Sequence, residues 1–197
     1  KYYKDYRRAK TAEQILQVQI EKAQQELQYI DTVFEALSRA NAERELAEIR
    51  QELMEQGYIR RSKEKQKTAA LPPLCFVSSG GFQILVGRNN RQNDALTLKT
   101  AGNNDIWLHT KNIPGSHTVI VTETRTPDEQ TLLEAAQLAA FHSRARDGAQ
   151  VPVDYTQIRY VSKPSGAKPG MVIYKNNKTL YVAPCIPQSV QMQHGQG

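Results

Sequence analysis

From Tyr6 to Leu37 the apolar residues keep a seven-residue beat, and this stretch can only be satisfied by a long helix. Ile20, Leu27 and Phe34 fall on one position, and Leu16, Ala23, Ile30 and Leu37 on the other, in alternating steps of three and four. Roughly thirty helical residues span about 45 Å at 1.5 Å per residue. Ser38 to Asn41 breaks the beat, and Leu46, Ile49 and Leu53 restart it in a second helix that ends at Gly57. The expected shape over residues 1–58 is an antiparallel helical hairpin, a coiled-coil arm. Its second helix is about half as long as the first and cannot cover Leu16 and Ile20. A segment outside this chain, or a second copy in a homodimer, is expected to cover them. The arm then serves either as a plain spacer or as a docking arm for a partner.

Charge is distributed as unevenly as hydrophobicity. The net charge is +6, yet residues 11–56 carry four basic and ten acidic side chains, while residues 57–197 carry seventeen basic and nine acidic. An acidic rod joined to a basic globule suggests that the globule meets a polyanion. Between them, residues 59–70 include the run RRSKEKQK from Arg60 to Lys67, which has no apolar pattern and precedes Pro72-Pro73. That composition predicts a flexible basic linker, either solvated or lying on phosphate. Cys75 and Cys185 are too few for a disulfide framework, and no Cys/His spacing suggests a metal site. No apolar run is long enough for a signal peptide or a membrane span, and the chain opens on Lys1. The expectation is a fragment of a larger, soluble, cytoplasmic protein.

Residues 71–184 read as an α+β globular domain of mainly antiparallel strands with two helices. Leu74 to Val77 and Phe82 to Val86 form a hairpin across Ser78 to Gly81. Asn93 or Asp94 would cap a short helix through Thr100. Ile106 to His109 and His117 to Val121 pair around Pro114-Gly115. A helix follows with Pro127 in its first turn and a small-residue face from Leu132 to Ala140. Val153 to Val161 is a strand, and Met171 to Tyr174 pairs with Thr179 to Val182 through Asn176-Asn177 as a last hairpin. The polar tail over 185–197 is expected to be disordered.

The chemistry these residues suggest is binding. Ser116 and His117 are neighbours in a strand, so alternation sends their side chains to opposite faces, and no nucleophile elbow or phosphate loop occurs. Neither enzymatic activity nor a cofactor is expected. Arg88, Arg91, Lys111, Lys163 and Lys168 can pair with phosphate. Asn89, Asn90, Asn93 and His109 can bond to sugars or base edges, and Trp107 can stack a base. The alternatives are that Trp107 lies in the core and that the asparagines shape a turn.

Three long blocks, GRNNRQND (Gly87 to Asp94), DIWLHTKNIPGSH (Asp105 to His117) and KPSGAKPGMVIY (Lys163 to Tyr174), resemble signature segments of the NFACT family's RNA-binding domain, NFACT-R. VPVDYT (Val151 to Thr156) and EQGYI ahead of the basic linker resemble the same family. The family's N-terminal domain and its helix-hairpin-helix segment find no counterpart here. The resemblance implies ribosome-associated quality control. Members bind a large ribosomal subunit obstructed by peptidyl-tRNA, recruit aminoacylated tRNA and support template-free alanine tailing of the nascent chain. The coiled coil would reach rRNA and proteins at the stalk base. The RNA-facing surface is then expected at Arg88, Asn89, Asn90, Arg91, Asn93, Asp94, Trp107, His109, Lys111, Pro114, Gly115, Ser116, His117, Lys163 and Lys168. A competing expectation is a fibronectin-binding adhesin, because some streptococcal members are reported to bind fibronectin, which would call for cell-surface presentation.

Overall fold

In a computed structural model, which describes residues 2–60 and 71–193, the heptad stretch is one continuous helix, α1 (Tyr2–Arg39). Helix α2 (Glu43–Glu55) folds back antiparallel after Ala40-Asn41. Gly57 stops it, as the sequence predicts: at φ +82° its amide reaches the Met54 carbonyl while Tyr58 N–H reaches Leu53. The packed seam, however, is offset from the predicted one. Tyr29, Val33 and Ala36 meet Ile49 with Ile30 and Leu53 alongside, whereas Ile20 (51 %), Leu27 (64 %) and Phe34 (63 %) stay exposed. The packed core of the hairpin lies in the last turns of α1, and there the Tyr29 ring and its hydroxyl select the face. Residues 2–28 are exposed, and the stretch ahead of Glu26, about 36 Å of helix, projects from the packed part of the arm.

The globular domain begins with β1 (Leu74–Val77) and β2 (Gln83–Val86), a hairpin with Leu74 opposite Val86. Helix α3 (Asn90–Ala95) then runs into a π-helical turn over Leu96–Thr100. Its cap is Asn89, not Asn93 or Asp94; the Asn89 side-chain oxygen accepts the Gln92 amide at 3.0 Å. Asn93 and Asp94 are engaged elsewhere, as described below. Strands β3 (Ile106–Thr110) and β4 (Thr118–Val121) pair antiparallel, Trp107 opposite Val119. Asp128, accepting the Thr131 amide at 2.7 Å, caps α4 (Glu129–Phe141), which leaves Pro127 just outside the first turn.

The rest of the domain departs further from expectation. The predicted strand from Val153 to Val161 divides into β5 (Val151–Gln157), a 3-10 turn over Ile158–Tyr160, and β6 (Val161–Ser162). The predicted last hairpin does not form. β7 (Ile173–Tyr174) pairs with β6 in its own small ladder, whereas β8 (Lys178–Val182) joins β5. Tyr174 is drawn beneath Trp107, and Asn176, at φ +55°, redirects the chain. The tail expected to be disordered instead adds β9 (Gln191–Gln193) along β1. Main-chain pairing is available to polar residues as readily as to apolar ones, so composition is a poor guide at an edge. The basic linker lies, from residue 61 to 70, outside the described residues, as do 194–197.

The main sheet runs β8-β5-β3-β4-β2-β1-β9, antiparallel at every step. Both faces are covered. Phe76, Ile84, Val86, Leu108, Ile120 and Val153 pack under the alanines of α4. Trp107, Val119 and Leu85 point the other way, against Leu96, Ile158 and Tyr174. Trp107 and Leu108 thus serve opposite layers, as strand alternation requires.

Candidate nucleic-acid interface

Glu45, Glu48, Glu52 and Glu55 recur along α2 in steps of three and four, which lines them on one face of the helix. That face meets the first signature block. Glu45 pairs with Arg88 at 2.6 Å, and Glu48 accepts from Asn89 at 2.6 Å and Gln92 at 3.1 Å. Glu52 accepts from Asn90 at 3.0 Å, and Glu55 stands 3.5 Å from Arg91. From α1, Asp31 and Glu35 pair with Arg144 and Arg146 at 2.8 and 2.7 Å. Lys168 lies 3.7 Å from Glu26 and over the rings of Tyr29 and Tyr58. Much of the positive charge read from the sequence as a polyanion surface is therefore matched by the protein's own acidic arm.

Glu52 is the deepest of these groups. Burial pushes its carboxyl above the usual carboxylate range, against hydrogen bonds from Asn90 and Tyr29 that favour the charged form. Tyr29 donates to it at 2.8 Å, and its own hydroxyl is pushed up by burial and by the Glu52 charge. Glu52→Ala strands a buried hydroxyl and amide together. It is expected to cost about 2–3 kcal/mol, read as a lower urea midpoint; an unchanged midpoint would show that this contact does not hold the arm.

The three signature blocks converge behind this socket. Asn93 Oδ1 accepts the His117 amide at 3.1 Å, and the Ser116 hydroxyl donates to the Gly87 carbonyl at 2.5 Å. Asp94 accepts the Gly170 amide at 3.0 Å and pairs with Lys163, which fastens the third block to α3. Pro114 and Gly115 meet the segment after α4: the Pro114 carbonyl accepts the Arg144 amide at 2.9 Å, and Gly115 bridges Ser143. Trp107 stacks on His109 with centroids 5.7 Å apart, meets His117 edge-on at 5.2 Å and packs against the tilted ring of Tyr174 at 4.8 Å. The Tyr174 hydroxyl donates to Asp154 at 2.8 Å; burial first, then this bond, pushes it up to about 12. His117 shares a 2.7 Å hydrogen bond with Thr97 through Nδ1. Burial, then the charges of His109 and Lys163, holds it well below the ordinary imidazole value.

The blocks thus come together, but largely as an interior. Trp107 is 1 % exposed and His117 2 %, so neither can stack on or bond to a base as placed. Asn89, Asn90, Asn93, Ser116 and Gly115 are also buried, and the asparagines shape and anchor the α3 turn, the alternative the sequence left open. Arg88, Asp94, Lys163 and Lys168 are half-buried in contacts within the chain, His109 and Pro114 are partly covered, and Arg91 and Lys111 remain exposed. The sequence reading passed over Arg144 and Arg146 as partners of the arm. The regular acidic stripe on α2 was the signal that could have shown a basic socket.

The comparisons agree with this architecture. The family model for the NFACT protein RNA binding domain matches residues 73–176, and that for the NFACT N-terminal and middle domains matches residues 1–71. The helical arm thus falls within the family's N-terminal and middle model, in keeping with the resemblance read at EQGYI. The "Rqc2 homolog RqcH" of Bacillus subtilis (strain 168) is 47 % identical over 187 residues, covering 93 % of this chain and 32 % of that protein. The protein of the same name in Streptococcus suis (strain 05ZYH33) is 40 % identical over 185 residues, covering 93 % and 33 %. The chain thus spans about a third of the length of these curated relatives. A solved structure, the C-terminal part of the fibronectin/fibrinogen-binding protein from Streptococcus suis, superposes with a TM-score of 0.88 at 39 % identity, covering 93 % of this chain and 74 % of that one. Matched by family models along both its arm and its globular domain, the chain belongs to the NFACT family.

Proposed function

We propose that this chain is the ribosome- and RNA-docking portion of a ribosome-associated quality control factor. The observation that carries this reading is the likeness to RqcH proteins over 93 % of the chain, which includes the family's RNA-binding domain. The factor binds a large ribosomal subunit that still holds peptidyl-tRNA and supports tRNA recruitment for alanine tailing of the nascent chain. This portion contributes docking and no catalysis, and it works in the cytoplasm. The projecting part of α1, with Leu16, Ile20 and Leu27 exposed, suits an arm laid on rRNA and stalk-base protein. No described helix is long and apolar enough to cross a membrane.

Co-sedimentation with purified large subunits, with and without peptidyl-tRNA, over a salt series tests the reading. Binding that prefers the obstructed subunit and weakens with salt is expected. No binding at low salt would remove the docking role from this portion. The Streptococcus suis structure belongs to a protein described as fibronectin/fibrinogen-binding. If that property extended here, the chain would capture fibronectin irrespective of nuclease treatment and of subunits. Self-association through the exposed face of α1 would instead appear as concentration-dependent sedimentation of the chain alone.

A further inference from the structure

The cations of the globular domain are sorted between the two ends of its sheet. At the end where β2 finishes and β4 and β5 begin, the helical arm docks, and Arg88, Arg91, Arg144 and Arg146 face carboxylates. At the opposite end β3 and β8 begin and β5 finishes. There Arg159, Lys175 and Lys178 gather, and no salt bridge among the described residues engages any of them.

These three positions are held on a defined frame. The Arg159 amide donates to the Asn103 carbonyl at 3.2 Å, and its guanidinium donates to the neutral oxygens of Asn103 and Asn104, which leaves the charge uncompensated. The Lys175 amide donates to the Tyr160 carbonyl at 3.2 Å, and the Thr156 hydroxyl donates to the Lys175 carbonyl at 2.9 Å. Lys178 sits exposed opposite Tyr155 on β8, an edge strand of the sheet. The nearest carboxylates in the ladder are occupied. Buried Asp154 accepts from Tyr174 and Thr179, and buried Asp105 accepts from Gly102 and Thr122. Exposed Glu123 follows β4, on the far side of β3. Asn104, Asn176 and Asn177 add exposed amides that can bond to phosphate and ribose oxygens.

Resting on the assignment of this domain as RNA-binding, we propose that this rim, Arg159, Lys175 and Lys178 with the amides of Asn104, Asn176 and Asn177, is its contact surface for the RNA phosphate backbone. A concentration of cations without salt-bridge partners, held on a hydrogen-bonded sheet edge, recognises a polyanion without reading its bases. The docked arm pairs Arg88, Arg91, Arg144 and Arg146 at the other end with its carboxylates and leaves the rim cations without such partners among the described residues.

The test uses the whole chain and a labelled structured RNA hairpin over a salt series. Arg159→Gln/Lys175→Gln/Lys178→Gln is expected to lower the slope of log affinity against log salt by about 2 to 3, and to weaken binding by about tenfold or more at about 50 mM salt. All three side chains lie outside the cores, so the unfolding midpoint serves as a control for folding. Lys111→Gln, at the arm end, is expected to leave the slope unchanged. A wild-type chain that binds while the triple variant keeps its affinity and slope overturns the rim assignment alone. A slope that falls for Lys111→Gln and not for the triple variant moves the surface to the other end. A wild-type chain that fails to bind at low salt overturns the RNA-binding assignment itself.

Discussion

Acidification from about pH 7.5 to about 5.5 is expected to destabilise the globular domain by about 3 kcal/mol or more, well before most carboxylates titrate. Burial holds the imidazoles of His109, His117 and His142 below their ordinary value; that of His142 falls to about 3, helped by the charges of Arg39, Arg146 and Arg88. In the unfolded chain each would titrate near about 6.5. Below that pH the unfolded state takes up protons that the folded state refuses, so stability falls as pH falls. Each histidine that stays neutral contributes about 1.4 kcal/mol per pH unit until its folded value is reached. Glu52 works in the opposite sense, because burial raises its folded value and favours proton uptake by the native state, which offsets part of the histidine effect. Urea midpoints at the two pH values measure the balance. A flat profile would mean that these rings are hydrated or charged in the folded protein. His142→Gln should make the profile shallower by roughly one histidine's share.

Gly87→Ala is expected to cost about 2–4 kcal/mol. A Cβ there would stand 2.1 Å from Asn93 Oδ1 and 3.2 Å from the Asn93 backbone nitrogen. The side-chain oxygen must leave, which abandons the buried His117 amide. The Gly87 amide itself donates to the His117 carbonyl at 3.0 Å, so the backbone cannot retreat without breaking the β2–β4 junction. Thermal unfolding reads the loss. The informative comparison is Gly87→Ala in an Asn93→Ala background, where the crowding atom is already gone. The second substitution should then cost far less than it does alone, and strict additivity would show that Asn93 is not what Gly87 makes room for.

These two sites show why the signature blocks could be read as a surface. Gly87, Asn89, Asn90, Asn93, Ser116 and His117 are polar or small, and polar runs usually face water. Here each is satisfied by another part of the chain: Asn89 by Glu48, Asn90 by Glu52, Asn93 by His117, Ser116 by Gly87. A buried polar group is tolerated when its partner is in place, and those partners lie tens of residues away. Nothing within a window around Asn90 announces that a helix forty residues earlier will supply the carboxylate. The acidic stripe on α2 was present in the sequence, but a stripe of charge ordinarily marks a solvated face.

What the sequence determined unaided is local. The heptad beat committed Tyr2–Arg39 to one helix, Gly57 ended the second, and the alternating and β-branched runs at Leu74–Val77, Ile106–Thr110 and Thr118–Val121 became strands. Each follows from the spacing of neighbouring residues along a regular backbone. The tertiary structure decided which surfaces these elements keep. It buried Trp107, paired β8 with β5 in place of β7, recruited Gln191–Gln193 to the edge and set the acidic arm against one end of the sheet. Burial, strand order and charge pairing are sums over residues distant in the chain, so they come into being only when those residues meet.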